Sequence, residues 1–217
     1  MNQQDIQGNC ENKGKIIQVK RMAKKTSKRT KSKIVSAAWK LFYDQGYEDT
    51  TIEEIIEESR TSKGSFYHYF EGKDALLSSL SYVFDEKYEE LKEQLGDFDN
   101  SYDILVFLNH ELFLMIENKV DFDLLCRLFS TQLITKGERH LLDHNRVYYK
   151  LLRKIIVDGQ ENGEFTNTMS ANEMVKYYAL CERGMIYDWC LSNGEYSLCE
   201  YAKTIMPGFL MVLKNKV

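Results

Sequence analysis

The chain has 217 residues, with 29 lysines and arginines against 33 aspartates and glutamates, a net charge of −4, and 43% of it is hydrophobic. That mixture suits a globular protein with a sizeable core and excludes a wholly disordered one. The longest clean apolar stretch, 104–108, falls far short of the roughly 18 residues that a membrane span needs. No apolar leader follows the N-terminus, so a cytoplasmic protein without membrane contact is expected. The five cysteines are odd in number and form no C-x-x-C pair, which fits reduced thiols. One proline against 12 glycines favours long helices and an all-α class.

Charge is unevenly spread. Residues 1–70 carry 13 basic and 9 acidic side chains, and the remainder carries 16 and 24. Between Lys13 and Tyr43 there are 11 basic residues and no acid, which suggests a polyanionic partner, most simply nucleic acid. Residues 1–28 lack apolar periodicity and read as a flexible basic arm, with Met22 a second plausible start.

Order is expected from about residue 29. Ile34, Ala38, Leu41 and Phe42 form one helical face that stops before Gly46. Thr51 and Glu54 have the form of a capping box for a short second helix with Ile52, Ile55, Ile56 and Ser59 on one side. Ser62 is a good N-cap for a third helix carrying Phe66, Tyr69 and Phe70. Three short helices with a tight turn before the third make a helix-turn-helix domain over 29–75. A long helix over 73–95 should follow, with Leu76, Leu80, Val83, Phe84, Leu91 and Leu95 as its apolar stripe, about 35 Å long and able to couple head to body. Five more helices are expected, at 101–118, 122–135, 138–161, 170–192 and 195–215, about nine in all, with Pro207 inside the last. The body, 76–217, is then a second helical domain.

The chemistry concentrates in 51–73. Lys63 opposes the dipole at the start of the third helix, and Gly64 costs about 1 kcal/mol there relative to alanine. Both choices suit DNA: Lys63 and the first amides hold phosphate oxygens, and Gly64 lets backbone approach the duplex. Ser65, Tyr67 and His68 project away from Phe66 and Phe70 and offer hydroxyl and imidazole groups to phosphates and base edges.

Gly46-Tyr47, Thr50-Thr51, the run Ser62-Lys63-Gly64-Ser65-Phe66-Tyr67-His68-Tyr69-Phe70 and Lys73 resemble the TetR family of bacterial transcriptional regulators over about 30–80. The rest resembles it only in length, helical pattern and the Gly-Gln-Glu-Asn-Gly-Glu-Phe stretch at 159–165. The resemblance implies a DNA-binding head, a helical ligand-binding and dimerisation body, and repression relieved by a small molecule. It places Thr51, Lys63, Tyr67, Tyr69 and Lys73 on phosphates and Ser65 and His68 nearest the bases. Ser62 and Gly64 complete the candidate set. Where the family often has Ala-Gly-Val, this chain has Ser59-Arg60-Thr61; a non-glycine residue must make the turn, and Arg60 becomes a further candidate phosphate contact. Glu53, Glu54, Glu57 and Glu58 make an acidic face that cannot lie against DNA.

The expected partners are double-stranded operator DNA, a second copy of the chain and a small hydrophobic or aromatic effector, for which Phe107, Met115, Phe129, Tyr148, Tyr178 and Trp189 are candidate contacts. Alternatives are a redox- or metal-responsive regulator of the same fold, using Cys181, Cys190 and Cys199 or His140 and His144, or a small-molecule-binding helical protein with incidental DNA binding. His140 and His144 lack an evident third ligand, so no metal is expected. No phosphate-binding glycine loop, nucleophile elbow or H-E-x-x-H occurs, so neither enzymatic activity nor a cofactor is expected.

Overall fold

Ile34, Ala38 and Phe42, four residues apart, are the buried face of a first helix, α1, which is helical over 29–45 in the computed structural model. The structure describes residues 29–134 and 139–215; the basic arm expected over 1–28 and the break expected at Lys136-Gly137 lie outside them. Two compact units divide between Leu76 and Leu77.

In the first unit, Tyr47 turns back onto Phe42, with ring centroids 5.0 Å apart. The capping box of α2 (Ile52–Ser59) is formed: the Glu54 amide donates to Thr51 Oγ1 at 3.2 Å, and the Thr51 amide donates to Glu54 Oε2 at 2.7 Å. Arg60 ends α2 with a φ of 52°, in the left-handed region. That conformation costs a non-glycine residue about 1–2 kcal/mol. Backbone bonds compensate, from the Arg60 amide to Glu57 O at 3.0 Å and from the Thr61 amide to Ile56 O at 3.1 Å. Ser62 then caps α3 (Lys63–Tyr69) by accepting from the Ser65 amide at 3.1 Å. Ile55, Phe66 and Phe70 are buried in this unit, as are Ile34, Ala38 and Phe42 of α1.

The long helix expected over 73–95 is corrected. The chain instead forms α4 (Lys73–Leu77), α5 (Leu80–Leu91) and a 3-10 turn over Lys92–Asp97. At the interruption the Ser78 carbonyl accepts from both the amide and the hydroxyl of Ser81, at 3.2 and 2.6 Å, and the Tyr82 amide donates to Ser79 O at 3.0 Å. These three-residue bonds displace the α-helical ladder, with a serine hydroxyl competing for the carbonyl. The expected stripe holds for Leu76, Leu80, Phe84 and Leu91, but Val83 is exposed and Tyr88 is buried in addition.

The second unit continues with α6 (Ser101–Lys119), α7 (Phe122–Ile134), α8 (Val147–Glu161), α9 (Ala171–Leu191) and α10 (Leu198–Leu210). α6 packs on α8 and α10, and α9 packs on α7, α8 and α10. The helix expected over 138–161 begins only at Val147, because Asp143 accepts the Asn145 amide at 2.8 Å and turns the chain after a 3-10 segment, His140–Leu142. α10 contains Pro207, as expected. The fold is all-α; among the described residues the one β feature is an isolated bridge between Phe165 and Lys214.

The 159–165 stretch is a structural joint. Gly163, at φ +76°, turns the chain after α8. Phe165 is fully buried against Gly159, where an added Cβ would stand 2.5 Å from the Phe165 ring and 2.9 Å from Ser101 Cβ. Glu164 Oε2 accepts the Ser101 amide at 2.6 Å and so satisfies the start of α6.

Candidate functional site

The turn at Arg60 and the cap at Ser62 fix which face of α3 is free. Phe66 and Phe70 are buried, while Lys63, Gly64, Tyr67 and His68 are exposed on the other side. Ser65 is half-buried, and its hydroxyl is 2.9 Å from Ser62 Oγ. Tyr69 is half-buried, in edge contact with His68 at 4.7 Å. Gly64 has no packing reason within the fold: an added Cβ would meet only Ser62 Oγ, at 4.0 Å.

The acidic face of α2 is partly committed. Lys63 Nζ lies 3.2 Å from Glu53 Oε1 and Lys40 Nζ lies 2.7 Å from Glu58 Oε1, all well exposed. The Glu53 carboxyl is held below its ordinary value by a backbone amide first and Lys63 second. Such an exposed pair is weak and salt-screened, so Lys63 exchanges it readily for a phosphate. Thr51 is exposed, but its hydroxyl donates to Glu54 Oε2 at 2.8 Å. Arg60 is exposed at the turn.

Lys73 is more deeply engaged. Its ammonium donates to the carbonyls of Tyr47, Thr50 and Glu48, at 2.5, 2.9 and 3.2 Å, and sits 4.3 Å from the centre of the Tyr47 ring. The Tyr47 hydroxyl in turn donates to Asp74. Lys73 therefore ties α4 to the loop between α1 and α2, a role that its sequence position did not suggest.

In the second unit a cavity of about 40 Å³ lies among Phe84, Tyr88, Phe129, Tyr148, Glu182 and Ile186, with Arg146 also at its wall. Glu182 is buried and accepts from the Tyr148 hydroxyl at 2.6 Å and from Asn109 Nδ2 at 3.1 Å. Burial raises its pKa above the usual carboxylate value. Arg146 is neutralised by Asp85 through two bonds of 3.0 Å. Phe129 and Tyr148 are the two expected effector contacts that line this space. The other four lie elsewhere. Tyr178 donates to Leu105 O at 2.9 Å, and Trp189 donates to Tyr196 O at 2.7 Å and meets Phe122 edge-on. Phe107 stacks on Phe98, and Met115 is core. Tyr88, Arg146 and Glu182 were missed, although Glu182 falls on the apolar stripe of α9, four residues after Tyr178 and three before Met185, which is an anomaly visible in sequence.

His140 and His144 do not share a helical face, since the first is in a 3-10 turn and the second lies before α8. Among the described residues no group of three or more His, Cys, Asp or Glu is placed to hold a metal. The Cys126 and Cys190 side chains hydrogen-bond each other, and burial pushes the Cys190 thiol up to about 12. Burial likewise raises Cys181 and Cys199, which disfavours the reactive thiolates that redox sensing requires. No helix among the described residues is long and apolar enough to cross a membrane.

A capped helix pair joined by a tight turn, with a basic, hydroxyl- and imidazole-bearing face exposed, has the form of a helix-turn-helix, an arrangement that DNA-binding domains use. Residues 34–80 match the family described as bacterial regulatory proteins, tetR family. The chain is 28% identical over 151 residues to YvdT, an HTH-type transcriptional regulator of Bacillus subtilis strain 168, across 69% of this chain and 76% of that one. With YuxN of the same organism, identity is 44% over 59 residues, 27% of this chain and 20% of YuxN's length. The crystal structure of Thermus thermophilus FadR, a TetR-family transcriptional repressor in complex with lauroyl-CoA, has the same fold, with a TM-score of 0.67 at 22% identity, covering 86% of this chain and 96% of that one. The match to the tetR family thus covers the helix-turn-helix segment, and over the greater part of the chain the likeness is one of fold.

Proposed function

We propose that the chain is a homodimeric cytoplasmic repressor that binds a pseudo-palindromic operator through α3 and leaves it when a small apolar effector enters the second unit. The observation that carries the DNA-binding half is the free α3 face, above all a glycine that nothing inside the fold requires. Lys63, Arg60, Tyr67, Tyr69 and Thr51 serve phosphates, Gly64 allows close approach, and Ser65 and His68 stand nearest the bases, with Ser62 holding the helix start. Lys73 acts on the same surface by fixing the α1–α2 loop. The cavity beside Glu182 and an adjoining groove of about 430 Å³, which share Phe129, Leu141 and Arg183, are the effector site.

The test begins by sequencing genomic fragments retained by the purified protein and measuring its affinity for the recovered operator and for random DNA. Lys63→Ala should weaken both and reduce the salt slope by about 1. Ser65→Ala or His68→Ala should change base preference, by about 1–3 kcal/mol for each lost base contact. Uniform loss in all three variants would remove Ser65 and His68 from base reading.

A further inference from the structure

A residue that lines the cavity in the second unit carries a hydrogen-bond donor that the described residues do not satisfy. Tyr88 is 1% exposed and lines the space, and its hydroxyl has no protein partner among the described residues. Burying such a group unpaired is costly, so it is kept where something else supplies the acceptor. The Tyr88 ring lies 5.1 Å from that of Tyr148, whose hydroxyl donates to Glu182. The two Glu182 oxygens accept from Tyr148 and Asn109 and have the Tyr178 hydroxyl within hydrogen-bonding reach, and a carboxylate has about four acceptor sites, so capacity for one more donor remains.

Resting on the reading of this cavity as the effector site, we propose that the effector carries a neutral hydroxyl, phenolic or alcoholic, on an apolar body. Its oxygen accepts from Tyr88 and its hydrogen is donated to Glu182. Only a group that both donates and accepts serves the pair. A carboxylate would answer Tyr88 but brings no hydrogen to Glu182 and adds a second negative charge beside it. An ammonium would answer Glu182 but leaves the Tyr88 hydrogen without an acceptor. Arg146 does not invite an anion, because Asp85 already pairs it at two points, and the charge of Arg183 already acts on Glu182. A volume of about 40 Å³ admits a hydroxyl and the first atoms behind it, not a whole ligand. The body therefore extends past Phe129 and Leu141, the residues shared with the groove.

Isothermal titration of the full chain with 4-ethylphenol, ethylbenzene, 4-ethylbenzoic acid and 4-ethylbenzylamine, probes of one apolar body, tests this. The phenol should bind about tenfold more tightly than ethylbenzene, the yield of one good hydrogen-bonded pair. Tyr88→Phe should cut that ratio to about threefold or less while melting no lower than the wild type, because it deletes a buried unpaired group. A ratio unaltered in Tyr88→Phe, or tighter binding of the acid or the amine, overturns the hydroxyl assignment and leaves the effector site standing. Failure of all four probes to bind the wild-type protein overturns both.

Discussion

Gly64 separates what the fold requires from what the partner requires. It sits in the first turn of an exposed helix, with open space where a side chain would go. Gly64→Ala should therefore leave stability to urea unchanged or raise it by up to about 1 kcal/mol. The same variant should lose operator affinity in fluorescence anisotropy, because the methyl group stands between backbone and duplex. A variant that bound DNA as well as wild type would show that the α3 start does not approach the duplex. Lys73 shows the opposite limit of sequence. A lone lysine after the motif reads as a phosphate ligand, yet its ammonium is aimed at three carbonyls that only the folded α1–α2 loop brings together. Arg60 was legible, since a turn without glycine must place some residue at positive φ, and it does so at 52°.

At the scale of elements, capping signals were read more securely than interruptions. Thr51, Ser62 and Gly46 act within a few residues, and each performs the role that its type suggests. The break at Ser78–Ser79 and the late start of α8 follow from side-chain bonds to nearby backbone, which apolar periodicity does not register. The 159–165 joint was visible as a pattern and opaque as a mechanism, because its partner, Ser101, is about sixty residues away in sequence. That joint gives a prediction against propensity. Alanine stabilises an ordinary helix relative to glycine, but at Gly159 its methyl would meet the Phe165 ring at 2.5 Å. Overpacking should dominate, and Gly159→Ala should lose about 1–3 kcal/mol in urea melts. Unchanged stability would mean that Phe165 shifts without penalty and that the joint is loose.

The whole molecule must also account for apolar surface that one copy leaves uncovered. On α9, Leu180, Tyr187 and Leu191 are 59%, 45% and 66% exposed, and with Gly184 they recur at the spacing of a single helical face, which borders the effector groove at Gly184 and Tyr187. On α10 and the 3-10 turn that follows it, Met211–Leu213, Tyr201, Gly208 and Val212 repeat the arrangement, with Tyr201 46% and Val212 54% exposed. Neither Gly184 nor Gly208 has an atom within 4 Å of where its Cβ would lie, so neither glycine is explained by packing inside the protomer. Each costs its helix about 1 kcal/mol, a cost that close approach of another helix would offset. Two copies pairing α9 and α10 about a two-fold axis would bury this face against itself, as an isologous interface demands. Full burial of a large apolar side chain contributes about 1.5–3 kcal/mol, so a few per copy hold a stable dimer. Leu180→Glu should therefore shift the protein from dimer to monomer in size-exclusion chromatography with light scattering. Its helical circular dichroism should persist, because the native side chain is exposed in the protomer and its loss removes little internal packing. Operator affinity should fall with the dimer, since one head reads only one half-site. If Leu180→Glu remains a dimer at micromolar concentration, the two-fold seam lies on another face, and the apolar surface of α9 and α10 must meet a different partner.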